Sequence, residues 1–201
     1  MRLTDGTMLK GRLSALTENR VSLDGKRAQI PVSRISSIIF TGEGRYKYLS
    51  DLRPVSVEYN PYAGDKVPSW LNFYKADESA IGTPLALSGE NTVTEYAKGI
   101  GSRAGVRVRF SLPAGYKRFV CAVGVDKAAE SSPVAGSIGV RFVVSSDKKE
   151  VFRSRFLNIG DTAERISLDI SDATELTLST EWSDNGDVSA LADWCGAVLL
   201  K

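Results

Sequence analysis

Along most of this chain apolar and polar residues alternate, in segments of four to eight residues separated by Gly, Asn, Asp and Pro. That period of two is the signature of half-buried β-strands, and helical periodicity is never sustained. Val106, Val108, Phe110 and Leu112 form one face of a strand whose other face carries Arg107, Arg109 and Ser111. Phe119, Cys121, Val123 and Val125 repeat the pattern, as do Ile138, Val140, Phe142 and Val144. Ile166, Leu168 and Ile170, then Leu176, Leu178 and Trp182, complete the set. About eight to ten such strands in residues 46–201, each apolar on one face, need a second sheet to cover them, which predicts a β-sandwich or jelly roll. The only helical expectations are single turns near Val32 to Ser36 and Ala128 to Ser131.

The first forty residues have a tighter rhythm. Asp5-Gly6 and Asp24-Gly25 are tight-turn signals, and around them about five short strands form a meander, with Thr41-Gly42-Glu43-Gly44 as the linker to the remainder of the chain. The chain is therefore read as all-β with two domains: a small β-barrel over 1–42 and a jelly roll over 46–201.

Composition narrows the chemistry. The 201 residues are 42% hydrophobic, enough for a sizeable core, and contain no histidine. Every Ser-His-Asp or Cys-His mechanism and every His-ligated metal is thereby excluded, together with the usual general base near neutral pH. An enzyme would have to rely on carboxylates, Lys or Tyr, and the reading is that this is not one. The net charge of +2 predicts no nucleic-acid partner and no membrane-surface binding. Its distribution is uneven: residues 1–48 carry nine Lys/Arg against four Asp/Glu, whereas residues 161–201 carry two against nine. Apolar runs reach only about five residues, far short of the roughly 20 that span a bilayer. No signal-peptide pattern stands at Met1. Cys121 and Cys195 lie 74 residues apart in apolar stretches, as two buried thiols or as a disulfide joining two strands.

Residues 2–40, with their Asp-Gly, Gly-x-Leu and Ile-Pro spacing, resemble the small Sm-like barrels. A more specific resemblance covers 48–200. Tyr48-Leu49-Ser50-Asp51-Leu52, Ser69-Trp70, Asp77 with Gly82-Thr83-Pro84-Leu85, Tyr96-Ala97-Lys98-Gly99-Ile100-Gly101, Val123-Gly124-Val125-Asp126 and Ala192-Asp193-Trp194 come in the order seen in the NPCBM family. That resemblance implies a galactose-binding-like jelly roll and a carbohydrate-binding role. It also implies an extracytoplasmic protein, whether secreted, periplasmic or on the cell surface. Relatives usually carry a histidine after Gly-Ile-Gly and another before the closing Asp-Trp; here those places read Arg103 and Ala190-Leu191-Ala192.

Sugar recognition pairs an aromatic face with the apolar face of the ring, and planar polar groups with its hydroxyls. On that logic the candidate ligand-binding residues are Trp70, Asn72, Tyr96 and Arg103, with Tyr59, Asn60 and Tyr62 preceding Trp70. Trp194, beside Asp193, reads as a buried residue. Jelly rolls of this kind often hold a structural calcium ion, for which Asp126, Asp184 and Asp187 are the candidate ligands. Asp184-Asn185-Gly186-Asp187 also reads as a hairpin with Asn-Gly in a type I′ turn. The leading function is a glycan-binding module. The alternative is a structural or assembly protein whose jelly roll has lost its sugar site, with the basic first unit and acidic tail docking head to tail into a homo-oligomer or filament.

Overall fold

A computed structural model describes residues 1–25, 28–38, 44–62, 64, 73–89 and 92–201. The chain divides into two compact units, Met1–Gly42 and Glu43–Lys201. In the first, β1 (Arg2–Leu3) pairs with β5 (Ile35–Ser37), and β2 (Leu13–Leu16), β3 (Arg20–Leu23) and β4 (Ala28–Pro31) form a three-stranded antiparallel sheet. Leu3, Val21, Leu23 and Ile30 bury their side chains together as its core. The five expected strands are present, but among the described residues they form two small sheets and not one closed barrel. The expected turn after Pro31 is a 3₁₀ turn over Val32–Arg34.

The second unit begins with the short strands β6 (Tyr46–Tyr48), β7 (Ser56–Tyr59), β8 (Tyr74–Ala76), β9 (Leu85–Ser88), β10 (Val93–Tyr96) and β11 (Gly99–Arg103). Longer strands come next: β12 (Val106–Ser111), β13 (Arg118–Val125), β14 (Gly139–Ser146), β15 (Lys149–Asn158), β16 (Glu164–Asp169), β17 (Glu175–Trp182) and β18 (Leu191–Leu200). One sheet runs β16-β13-β18-β11-β8, with β6 also on β18; the other runs β15-β14-β17-β12-β7. The sandwich is as expected. The described strands outnumber the expectation because β6 to β10 are only three or four residues long, too brief for alternation to register.

Alternation explains how the two sheets meet. On β12 and β17, Val106, Val108, Phe110, Leu176 and Leu178 are buried while Arg107, Arg109, Thr177 and Ser179 face outward. From the other sheet Ile100, Phe119, Trp194 and Leu199 close the same core. Trp194 of β18 meets Phe142 of β14 edge to face, with ring centroids 5.1 Å apart, joining the sheets at the centre. Trp194 is therefore a core residue, as its place in the sequence indicates.

The β9–β10 hairpin covers the outer face of the six-stranded sheet and makes a second, smaller core from Leu85, Leu87, Ala122 and Cys195, with Tyr96 and Ala163 against it. Cys121 points into the main core and Cys195 into this small one, so the thiols lie on opposite faces of the sheet and both are free. Burial pushes both thiols up, which keeps them protonated and inert. Gly101 is required by close approach: a Cβ there would stand 2.2 Å from the Glu78 carbonyl oxygen. Near it, the Lys98 ammonium joins the carboxylates of Asp51 and Asp77 at 2.6 and 2.5 Å, so three polar residues that carry the family resemblance are structural ties.

Asp193 and Asp126 are both buried. Among the described residues no donor reaches the Asp193 oxygens in hydrogen-bond geometry. Burial, reinforced by the neighbouring Asp126 carboxylate, pushes Asp193 well above the usual carboxylate range. The folded state thus holds a proton that the unfolded chain releases above about pH 4. That stabilisation is complete below the unfolded value and is lost as pH rises toward the folded one. Asp193→Asn, which cannot ionise, is expected to gain stability relative to the parent as pH rises from about 4 to about 8. Urea melts across that range check it, and a variant-minus-parent difference that stays flat with pH sinks the assignment.

Candidate functional site

Strands β7, β12 and β17 bring three segments together at one end of the five-stranded sheet. After Tyr59 the chain continues through Asn60 and Pro61 to Tyr62; Ala104 and Gly105 turn the chain from β11 into β12; Ser183 to Ala190 connect β17 to β18. Backbone hydrogen bonds lock the first two together and to β17, from Asn60 N–H to the Gly105 carbonyl (2.9 Å) and from Gly105 N–H to the Thr180 carbonyl (2.7 Å). Gly105 has φ +89°, and a Cβ would lie 2.4 Å from the Asn60 carbonyl oxygen, so only glycine lets these segments meet. Thr180, itself buried, donates its hydroxyl to the Arg103 carbonyl at 2.6 Å.

Aromatic residues and one carboxylate hold the third segment. The Trp182 indole N–H donates to the Asn60 carbonyl (3.1 Å), and the Tyr62 ring meets the indole edge to face at 4.9 Å. The Tyr62 hydroxyl donates to the Asp184 carbonyl at 3.2 Å. Asp187 accepts from the Tyr59 hydroxyl at 2.5 Å and from the Tyr62 backbone N–H at 3.2 Å. Burial, then this bond to Asp187, raises the Tyr59 pKa far enough to keep the hydroxyl a donor. The Tyr59 ring lies 4.5 Å from that of Phe73, and the Arg103 guanidinium sits 5.0 Å above the Phe73 ring.

These elements enclose a cavity of about 520 Å³, lined by residues 58–60 of β7 and its extension, 105–107 and 179–182. Tyr59, Asn60 and Trp182 are among the residues of its wall, with Glu58, Glu181 and the exposed Arg107. Glu181 is tied to Arg153 at 2.8 Å and to Arg141 at 3.6 Å. The two arginines fix the position of the Glu181 carboxylate, whose oxygens accept hydrogen bonds.

The residues singled out in the sequence scatter. Trp70 and Asn72 lie outside the described residues. Arg103 is at the site's edge, over Phe73. Tyr96 packs in the small core beside Cys195 and Gly196, near the far end of β11, and burial raises its hydroxyl pKa. Since Gly99 and Arg103 bound that strand, roughly 13 Å of chain separates the two ends, and Tyr96 does not join Arg103. Leu191 is 4% exposed in the main core, so its position faces packing and not a ligand.

The expected calcium ligands also part company. Asp126 is buried in the other sheet, accepting from Ala128 N–H (2.7 Å) and Ala86 N–H (3.4 Å), and Asp187 is committed to Tyr59 and Tyr62. Among the described residues no three His, Cys, Asp or Glu converge where a metal ion would sit, and Asp126 lies apart from Asp184 and Asp187. The Asn-Gly turn differs as well. Gly186 N–H closes on the Ser183 carbonyl at 2.9 Å, which makes Asp184 and Asn185 the central residues. Neither has the positive φ that a type I′ turn demands.

Glu58, Gly105, Arg107, Glu181 and Trp182 also stand in the cavity wall, and the sequence singles out none of them as a site residue. Trp182 ends an alternating apolar series and reads as core, and Arg107 reads as one of many solvent-facing strand residues. Nothing local distinguishes them, because the cavity is made by register between strands distant in sequence.

Residues 45–200 match the NPCBM/NEW2 domain family. Among solved structures, the chain is similar to the CBM51-2 and INT domains of Clostridium perfringens ZmpB (25% identity, TM-score 0.67), covering 78% of this chain and 32% of that one. The same pair of domains has been solved with CBM51-2 in complex with GlcNAc. It is also similar to the CBM51 of Clostridium perfringens GH95 in complex with methyl-galactose (25% identity, TM-score 0.66), covering 77% of this chain and 99% of that one. A third likeness, to the tandem CBM51 modules of Sp3GH98 from Streptococcus pneumoniae SP3-BS71, is one of fold (19% identity, TM-score 0.66, covering 83% and 51%). The chain thus spans about a third of the length of the first of these. No curated protein matches it.

Tyr59→Phe removes the hydroxyl that anchors Asp187 and leaves the carboxylate one donor short. A loss of about 1.5–3 kcal/mol in unfolding free energy is expected, as for a hydrogen bond to a charged group. Faster amide exchange across residues 183–189 should accompany it. Unchanged stability and exchange would show that the Tyr59–Asp187 bond does not hold this segment.

Proposed function

The chain belongs to the NPCBM/NEW2 domain family, and on that premise we propose that its jelly roll is a non-catalytic module that binds a glycan in the cavity at the end of the five-stranded sheet. The observation that carries this reading is the convergence, around one cavity of about 520 Å³, of two aromatic residues, Tyr59 and Trp182, with Asn60, Arg107, Glu58 and Glu181. Tyr59 and Trp182 offer apolar surface to a sugar ring; Asn60, Arg107 and the ion-paired Glu181 offer fixed donors and acceptors to its hydroxyls. The relatives solved with methyl-galactose and GlcNAc make those two sugars the first ligands to try.

The reading is one of binding without bond cleavage. Hydrolysis of a glycosidic bond needs one carboxyl that gives up a proton and a second that attacks or activates water. Here Glu181, held in place by two arginines, is read as an acceptor for sugar hydroxyls. A module that binds glycans in this way belongs outside the cytoplasm, where such glycans are displayed. Among the described residues no helix is long and apolar enough to cross a membrane.

Calorimetric titration with methyl-galactose and N-acetylglucosamine tests the reading. Arg107 is exposed and has no ion-pair partner among the described residues. Arg107→Ala should therefore leave the melting temperature within a degree or so of the parent while weakening sugar binding at least tenfold, a loss of about 1.4 kcal/mol. Parallel titrations of Trp70→Ala and Arg103→Ala measure what those two residues add. Sugar affinity unchanged in Arg107→Ala would move the site elsewhere, and an intact protein that binds neither sugar nor any glycan on an array would end the proposal.

A further inference from the structure

The cavity at the sheet end does not stop there. A second concavity of about 340 Å³ runs across the outer face of the same sheet, and Glu58, Arg107, Ser179 and Glu181 line both. The two are therefore one trough. Register shows its direction: Glu58 of β7 faces Arg107 of β12, which faces Ser179 of β17, which faces Val143 of β14, which faces Arg153 of β15. That row crosses all five strands, about 19 Å at an inter-strand spacing near 4.8 Å.

The chemistry along the trough is specific. Its second part is lined by four basic groups (Arg107, Arg109, Lys148, Arg153) and four acidic ones (Glu58, Glu150, Glu175, Glu181), so it carries no net charge to attract a polyanion. Most of these side chains are already held in place. Arg153 pairs with Glu150 at 2.7 Å and Glu181 at 2.8 Å, and Arg109 pairs with Glu175 at 3.7 Å. The Arg141 guanidinium, 3.6 Å from Glu181, lies 3.9 Å over the Phe156 ring. At the junction of the two concavities, among the described residues, Arg107 has no ion-pair partner and Glu58 is met only by the Ser56 hydroxyl at 3.3 Å. Side chains fixed by one another lose little freedom when a ligand arrives, and alternating donor forks and acceptors match the vicinal hydroxyls of successive sugar units.

We propose that the ligand is a stretch of an extended, uncharged oligosaccharide lying across the five strands, with one sugar unit in the end cavity and the next units over Arg107, Ser179 and Arg153. This rests on the glycan reading above and specifies its substrate class: a chain and not a lone terminal sugar.

Titration with methyl-galactose and N-acetylglucosamine, and with the β-linked dimers, trimers and tetramers of each, tests it. Affinity for one of the two series should rise at least tenfold from monomer to tetramer. Thr177→Tyr, which places a ring in the trough on a strand position that accepts aromatics, should abolish that rise and leave monomer affinity unchanged. Arg153→Ala, which adds no bulk, should reduce the rise severalfold and serves if the tyrosine variant does not fold. Monomer binding with no gain on lengthening, or a gain that survives both substitutions, overturns the trough proposal and leaves the glycan-binding reading standing. Tighter binding of a heparin fragment than of any neutral tetramer overturns the uncharged ligand class. If the intact protein binds none of these sugars, the trough proposal falls, and the glycan array decides the glycan-binding reading separately.

Discussion

Everything in the jelly roll depends on two half-apolar sheets being forced face to face. Each long strand carries a row of large apolar side chains on one side only, and no single sheet can shield that row from water. The contact of Trp194 with Phe142 is where the two rows meet. Once the sheets are paired through these residues, the opposite row of every strand must face solvent or another cover. On the six-stranded sheet the β9–β10 hairpin supplies part of that cover, with Cys195 and Tyr96 beneath it. On the five-stranded sheet Arg, Glu, Ser and Thr face outward along the trough.

Function grows out of that division of faces. The end cavity exists because glycine at 105 lets the turn into β12 touch the Asn60 carbonyl, and because the Tyr59–Asp187 bond and the Tyr62–Trp182 contact hold the neighbouring loop segment. A site made in this way is preorganised by groups that do not themselves need to touch a ligand. Arg103, stacked on Phe73, belongs to this supporting set in the described structure. The buried Asp193 shows the opposite arrangement, a carboxyl kept neutral by its surroundings and serving the packing of β18.

Much of this was legible in the residues alone. Two-residue periodicity marked the long strands β12, β13, β14, β16 and β17 and, with the need to cover their apolar faces, the sandwich; it did not mark β15. The ordered family segments from Tyr48 to Trp194 identified its type. The short strands β6 to β10 were not legible, because three or four residues carry too little alternation to be distinguished from loop. The expected groupings of site residues failed for a related reason. Tyr96 and Arg103 are seven residues apart, yet one packs into the small core and the other over Phe73. Asp126 and Asp187, both read as loop oxygens, are bound to different parts of the sandwich.

The sequence by itself determined the secondary structure class, the two-unit organisation as an expectation, the absence of histidine chemistry and the residues that five of the long strands, β12, β13, β14, β16 and β17, turn inward. These are local or compositional properties, and every residue reports them without reference to its distant neighbours. Only the tertiary structure decided which outward-facing residues share a surface. Glu58, Arg107, Ser179, Val143 and Arg153 come from five strands spread over about three fifths of the chain, and strand order and register alone place them in one row. Neither quantity is encoded in the period of any single strand: shifting one strand by two residues keeps every apolar side chain in the core and moves every polar one to a new partner.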